Sequence, residues 1–223
     1  MNRGIFVTGT GTDVGKTYVT ALLLKKLRES MDAVYYKAAL SGAEIIDEVL
    51  TAGDSYHVCK TAGISGEAND FVSYIYKTPV SPHLAARFEG NPVCLERISE
   101  HFERLCAEHD FVVAEGSGGI VCPIRFDETQ LMLTDIIKAL GLDVVIVSTA
   151  ALGSINSAVL TCHYARSMGI NVRGFFLNRF DKSAPMQEDN RVMIERLSGA
   201  PVLGYVEENG DKLVLLRELS ELF

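Results

Sequence analysis

The sequence predicts an α/β fold: one domain spanning residues 1–223, with a doubly wound, mostly parallel sheet flanked by helices. Three observations carry that expectation. Short β-rich runs alternate with longer helical stretches, the order that parallel strands joined by crossover helices require. Most of the β-rich runs are apolar at consecutive positions, so both faces of each strand are expected to be buried under helices. There is no internal repeat, low-complexity tract or Pro/Gly/Ser linker long enough to divide the chain.

Taken in order, strands are expected at Gly4 to Thr8, Ala33 to Lys37, Phe111 to Glu115, Asp143 to Ser148, Val172 to Asn178 and Val202 to Val206. Helical spacing is read near Lys16 to Glu29, Leu95 to Glu108, Leu131 to Leu140, Ile155 to Met168 and Met186 to Leu197. Gly141 and Gly169 stand where helices close with a left-handed glycine. Ser81-Pro82-His83 opens another helix, with Pro82 suited to its first position. His83 reads as structural, because no acid or nucleophile is paired with it in sequence. Ser41 to Pro79 is the least regular stretch, and a loop of that length in a compact fold is functional or mobile.

Composition sets limits on function. The 223 residues are 48% hydrophobic, enough apolar material for one core without a staple. A formal net charge of -8 and a pI near 5.2 oppose bulk adhesion to polyphosphate, so nucleic acid is not an expected partner. The five cysteines, Cys59, Cys94, Cys106, Cys122 and Cys162, show no zinc spacing and fit a reducing cytoplasm. Met1-Asn2-Arg3 runs directly into a β-like segment, and no apolar stretch reaches the roughly 18 residues that span a bilayer. Neither secretion nor membrane insertion is expected.

After the first expected strand comes Gly9-Thr10-Gly11-Thr12-Asp13-Val14-Gly15-Lys16-Thr17, followed by the helical run from Tyr18. Strand, glycine loop and helix are the context of a P-loop NTPase. Glycines let backbone N–H groups converge on phosphate oxygens, and the helix N-terminus adds partial positive charge. Lys16 reaches the terminal phosphates, and Thr17 offers a hydroxyl to Mg²⁺. The loop is a variant, because five residues separate Gly9 from Gly15.

Further along, the second strand ends in Tyr36-Lys37 and leads to Ser41-Gly42. Ligands sit beyond the carboxyl ends of parallel strands, so Lys37 is either a second phosphate-facing cation or a solvated edge residue. Asp54, in Gly53-Asp54-Ser55, is a metal ligand or a helix N-cap, and local spacing favours the cap. Glu115 closes a buried strand before Gly116-Ser117-Gly118-Gly119 and resembles a Walker-B acid; a buried carboxylate there requires a cation, Mg²⁺ or a lysine.

Together these motifs resemble the dethiobiotin synthetase family, of the deviant P-loop group that also holds partition and division-site ATPases. The resemblance runs nearly the full length, through Gly9 to Thr17, Lys37 with Ser41-Gly42, Ser81-Pro82-His83, Glu115 to Gly119, Leu152-Gly153-Ser154-Ile155-Asn156, and Asn178. It implies that the nucleotide is ATP, held by Gly11, Thr12, Asp13, Val14, Gly15, Lys16, Thr17 and Tyr18 with Gly116, Ser117 and Gly118. Thr17, Asp54 and Glu115 would hold Mg²⁺, directly or through water. Lys16 and Lys37 would neutralise the transferring phosphoryl and the carbamate, and Thr12 and Ser41 would hydrogen-bond the substrate, 7,8-diaminononanoate carrying CO₂. Asn178 and Arg179, with the loop Glu207, Glu208, Asn209, would read the adenine edge, although Asn178 read alone is a strand-end turn cap. Gly153, Ser154 and Asn156 would bind the substrate's carboxylate tail across a homodimer interface; read locally, Ser154 is a helix N-cap. The sequence departs from the family at Ala38, where proline is usual, at Asp13, where glutamate is frequent, and after Val206, where proline is customary.

The implied reaction is an ATP-dependent ring closure through a carbamate and its mixed anhydride with phosphate, by a cytoplasmic enzyme. The alternative from another class is a partition- or division-site-type switch ATPase. Those proteins carry a second lysine inside the glycine loop, whereas Thr10 and Thr12 stand here. An amidoligase acting on another carboxylate would need an ammonia source, and no glutaminase-like Cys/His segment is present.

Overall fold

The runs that are apolar at every position form the middle of one eight-stranded sheet in the computed structural model, which describes residues 3–46 and 48–222. Met1 and Asn2, read above as leading into the first strand, lie outside the described residues. The chain opens with β1 (Gly4–Gly9), α1 (Lys16–Leu27) and β2 (Ala33–Ser41). A hairpin of β3 (Glu44–Ile46) and β4 (Val49–Thr51) leads to α2 (Gly53–Ala62) and β5 (Val72–Tyr76). Next come α3 (Pro82–Phe88), α4 (Leu95–Glu108), β6 (Phe111–Glu115) and a second hairpin, β7 (Pro123–Phe126) with β8 (Gln130–Met132). The chain then runs through α5 (Leu133–Leu140), β9 (Val144–Ser148), α6 (Ser154–Ser167), β10 (Val172–Asn178), α7 (Pro185–Ser198), β11 (Val202–Val206) and β12 (Val214–Leu215).

Strand order is β12-β11-β10-β9-β1-β6-β2-β5, parallel at every pairing except the edge pair β11–β12. Every residue of β1, β6, β9 and β11 is buried, as the continuous apolar runs required. Alternation along β2 separates the two faces. Tyr36 packs at 5.7 Å (ring centroids) from Phe102 of α4, while its neighbours Tyr35 and Lys37 turn to the opposite face, where Lys37 meets α2 at Asp54.

Several expectations are corrected. The stretch from Ser41 to Pro79 is not one irregular loop: it holds a hairpin, a helix and β5, a parallel edge strand paired with β2 from Lys37↔Val72 to Ser41↔Tyr76. That pairing also carries β2 past Lys37 to Ser41. The helix expected from Leu131 starts at Leu133, because Leu131 and Met132 belong to β8 and the Met132 N–H donates to Asp135 at 2.9 Å. Gly141 is the left-handed C-cap expected, whereas α6 is capped by Met168 and Gly169 follows one residue later. Pro82 does occupy the first turn of α3.

Candidate active site

The loop between β1 and α1 carries the backbone features that phosphate binding needs. Gly15 sits at φ +87, and a Cβ there would lie 2.0 Å from Asn178 Nδ2, so both conformation and space demand glycine. Gly15 is also the N-cap of α1, and no side chain caps the helix, which leaves its first N–H groups directed at the cleft. Asp13 adopts φ +61, an uncommon conformation for a residue with a side chain. Lys16 is buried, and its Nζ donates to Gly11 O at 3.1 Å. Burial lowers its pKa, partly offset by Glu115.

Beside this loop the sheet register brings the two remaining charged elements together. In the β2–β6 ladder Lys37 is the direct partner of Glu115, so both side chains leave the sheet on the same face at adjacent positions. Lys37 Nζ donates to Glu115 Oε1 at 2.9 Å and makes a short ion pair with Asp54. The Lys37 side chain is 5% exposed and that of Glu115 0%. Burial opposes the Lys37 charge, but the two carboxylates outweigh it and raise its pKa. For Asp54, burial acts against ionisation and the Lys37 charge prevails, so its carboxyl lies below the ordinary range. Thr17 Oγ1 donates to Glu115 Oε1 at 2.8 Å, and Tyr35 Oη to Glu115 Oε2 at 3.1 Å. The solvated-edge reading of Lys37 is thereby excluded. The N-cap reading of Asp54 fails as well: Ala52 is the N-cap of α2, without a side-chain cap, and Asp54 lies in the first turn with its carboxylate turned to Lys37.

Lys37, Asp54 and Glu115 line a cleft of about 730 Å³, together with Thr12, Asp13, Gly15, Lys16, Thr17, Tyr18, Ser41, Gly116, Ser117, Gly118 and Arg179. Ser117 Oγ donates to Ala39 O at 2.5 Å, tying the loop after β6 to the extended end of β2. Asn178 reaches the phosphate loop from outside, its Nδ2 donating to Val14 O at 3.0 Å, and Arg179 follows at φ +55. Gly11 takes part through its carbonyl. Glu207, Glu208 and Asn209 are exposed and do not line the cleft; the neighbouring Gly210 carbonyl accepts from Tyr18 Oη at 2.8 Å.

Gly153, Ser154 and Asn156 also lie outside this cleft, at the start of α6. The N-cap there is Gly153 in a left-handed conformation, which corrects the reading of Ser154 as the cap. Ser154 is the first helical residue, and its buried Oγ has no hydrogen-bond partner among the described residues. His83 is half-buried and away from the cleft, with a buried Nδ1 that likewise has no partner among the described residues.

Sequence reasoning missed Tyr35 and His57. Tyr35 stands two residues before Lys37, and therefore on the same strand face. His57 stands three residues after Asp54, on the same helix face, and lines the cleft with its ring 6.0 Å from that of Tyr18. Both positions follow from periodicity once the elements are known.

The donor set suits a hard cation. Thr17, Asp54 and Glu115 offer a hydroxyl and two carboxylates, oxygen ligands of the kind Mg²⁺ prefers. Among the described residues no three His, Cys, Asp or Glu side chains gather as a complete metal cage. A sparse set fits Mg²⁺, which keeps water and takes phosphate oxygens as ligands. No helix among the described residues is long and apolar enough to cross a membrane.

Known proteins resemble this chain in sequence and in fold. Residues 3–212 match a family described as AAA domain. The ATP-dependent dethiobiotin synthetase BioD of Clostridium botulinum (strain Alaska E43 / Type E3) is 45% identical over 224 residues, covering 100% of this chain and 99% of that protein. The protein of the same name from Brachyspira hyodysenteriae is 45% identical over 208 residues, 92% of each chain. Among solved structures, the ParA family ATPase from Chlorobium tepidum TLS superposes with a TM-score of 0.57 at 14% identity, over 95% of this chain and 87% of that one. At that identity the likeness concerns the fold alone.

Proposed function

The chain belongs to the dethiobiotin synthetase family, and we propose that its cleft converts 7,8-diaminononanoate, CO₂ and ATP into dethiobiotin, ADP and phosphate, a step of biotin biosynthesis. CO₂ adds to one amine of the substrate and gives a carbamate with release of a proton. A carbamate oxygen attacks the γ-phosphorus of ATP, the bond to the β–γ bridging oxygen breaks so that ADP departs, and a carbamic–phosphoric mixed anhydride is formed. The second amine then attacks the carbonyl carbon, phosphate departs, and the ureido ring closes with loss of the second proton. Such a reaction requires placement and charge neutralisation, not a protein nucleophile.

We assign Lys16 to the terminal phosphates and Lys37 to the negative charge shared by carbamate and transferring phosphoryl. Thr12 and Ser41 orient the carbamate by hydrogen bonds. Thr17, Asp54 and Glu115 hold Mg²⁺, directly or through water. Bound there, the ion would supply positive charge against the phosphates. The loop from Gly11 to Tyr18 and Gly116 to Gly118 surround the phosphates, while Asn178, Arg179 and the loop Glu207, Glu208, Asn209 face the adenine. Gly153, Ser154 and Asn156 serve the partner subunit's site in a homodimer, where they take the substrate's carboxylate tail. The 223 residues work as one cytoplasmic domain.

The observation that supports this reading most directly is the buried ammonium of Lys37, fixed by strand register beside Glu115 and within one cleft with Lys16. Incubation with diaminononanoate, bicarbonate and Mg-ATP, followed by mass spectrometry, is expected to give one ring product per ADP. Steady ADP release that ignores the diamine would support the switch-ATPase reading instead.

A further inference from the structure

Glu115 is a buried carboxylate whose two oxygens have different partners. Oε1 accepts from Thr17 Oγ1 at 2.8 Å and from Lys37 Nζ at 2.9 Å, the two groups that face the phosphate cleft. Oε2 accepts from Tyr35 Oη at 3.1 Å, on the side away from them. The last torsion of a glutamate is broad, so the plane of the carboxylate is set by its partners and not by its own rotamer preference. A donor that secures Oε2 therefore also fixes the direction of Oε1.

Strand geometry explains why Tyr35 reaches this oxygen. Tyr35 pairs with Val113 in the β2–β6 ladder, as Lys37 pairs with Glu115, so Tyr35 stands one pleat behind Lys37 on the same face. Two residues of strand cover about 6.6 Å, a span that the long phenol side chain bridges along the sheet. The ring is 0% exposed. Phenylalanine would fill nearly the same space, but only tyrosine brings a donor, and a buried hydroxyl needs a partner. An ionised carboxylate only accepts, so the direction of this hydrogen bond is fixed. Tyr36, on the other face, bonds to Ser73 Oγ and Ile98 O.

We propose that Tyr35 is a positioning residue for the nucleotide–metal site: its phenol holds Glu115 Oε2 so that Oε1 stays turned toward Thr17 and Lys37. It rests on the synthetase reading for its effect on turnover. The principal test contains no diamine, and its outcome is independent of whether the wild-type protein makes the ring product.

The test is calorimetric ADP binding to wild type and Tyr35→Phe across a Mg²⁺ titration, with EDTA as the metal-free reference. Partners that orient metal ligands typically change affinity by about 10- to 100-fold. Tyr35→Phe is therefore expected to need at least about tenfold more Mg²⁺ for the same ADP affinity, with the EDTA value unchanged. In turnover, kcat falls while KM for the diamine stays as in wild type. A folded Tyr35→Phe protein whose Mg²⁺ titration superimposes on wild type overturns the proposal, and so does a lowered Tm accompanied by an unchanged titration. Should Tyr35→Phe not fold, the same titration compares Tyr35→His with Tyr35→Leu, of which histidine alone offers a donor. The proposal requires Mg²⁺-dependent ADP binding several-fold tighter in the histidine variant, and equal values overturn it.

Discussion

Lys37 has two carboxylate partners, and they are supported in different ways. Glu115 ends β6, a central strand paired on both sides with β1 and β2, and three side chains donate to its oxygens. Asp54 comes from the first turn of α2, beyond a two-stranded hairpin, and its side chain is 40% exposed. The start of α2 is held locally: the Ala52 N–H donates to Asn69 Oδ1 at 3.0 Å, and Ser55 Oγ donates to Ala68 O at 2.6 Å. One wall of the site is thus positioned by sheet register, and the other by a helix that buries Val58, Cys59 and Ala62 in the main core, packs against α1 and has its start tied by short-range bonds. The cleft combines a carboxylate buried at the end of a central strand with one that is half-exposed at the start of a helix.

That contrast is broken most sharply by neutralising each acid in turn. Glu115→Gln leaves Lys37 buried with one of its two carboxylate partners gone, and removal of one member of a buried pair costs about 3–5 kcal/mol. Asp54→Asn changes a half-exposed pair and is expected to cost under about 1 kcal/mol. Urea midpoints of the two variants measure the difference directly. Equal losses would mean that Asp54 is as firmly embedded as Glu115. The next effect concerns turnover. Lys37→Ala removes the cation assigned to the carbamate and phosphoryl, and kcat is expected to fall about 100-fold or more, because such a contact acts in the transition state. Steady-state assays with diamine and Mg-ATP check this, and near-normal turnover would remove Lys37 from the mechanism.

The same division separates what could be read in the sequence from what could not. The strands β1, β6, β9 and β11 were legible because burial on both faces leaves largely continuous apolar runs, and the phosphate loop because glycine spacing and a following helix have few other uses. The segment holding Asp54 gave no comparable signal. Its hairpin exposes Ile45 and Val49, α2 reads Gly-Asp-Ser-Tyr-His-Val-Cys-Lys-Thr-Ala with little apolar stripe, and Ser73 interrupts β5 at the sheet edge. Glu115 was placed correctly at a strand end, whereas Lys37 stands in the middle of β2, which runs on to Ser41. Their contact was not readable, since it joins residues 78 positions apart through a register that tertiary packing sets. Tyr35 was missed for the same reason. The caps at Asp54 and Ser154 failed because serine and aspartate are common in first turns as well as at caps, and the residue one or two places earlier held the non-helical conformation.

The smallest expected effect separates the two carboxylates by pH. The Asp54 carboxyl lies below its ordinary range because the Lys37 charge outweighs burial. A depressed carboxyl stabilises the fold at pH values above its unfolded pKa of about 3.9, and that contribution disappears as pH falls through the folded value. The Lys37 shift is upward, so its contribution is complete below about pH 10 and fades only in stronger alkali. Between these limits the difference in stability between wild type and Asp54→Asn should be flat, and it should shrink toward zero below about pH 4. Because Asp54 is half-exposed, solvent and salt screen the pair, and the whole effect stays within about 1 kcal/mol and weakens further at high ionic strength. Urea titrations of both proteins from neutral pH down to about pH 3 read it. A difference that persists unchanged to the acid end would show that Asp54 stabilises the fold through the packing of α2, with no part played by its charge.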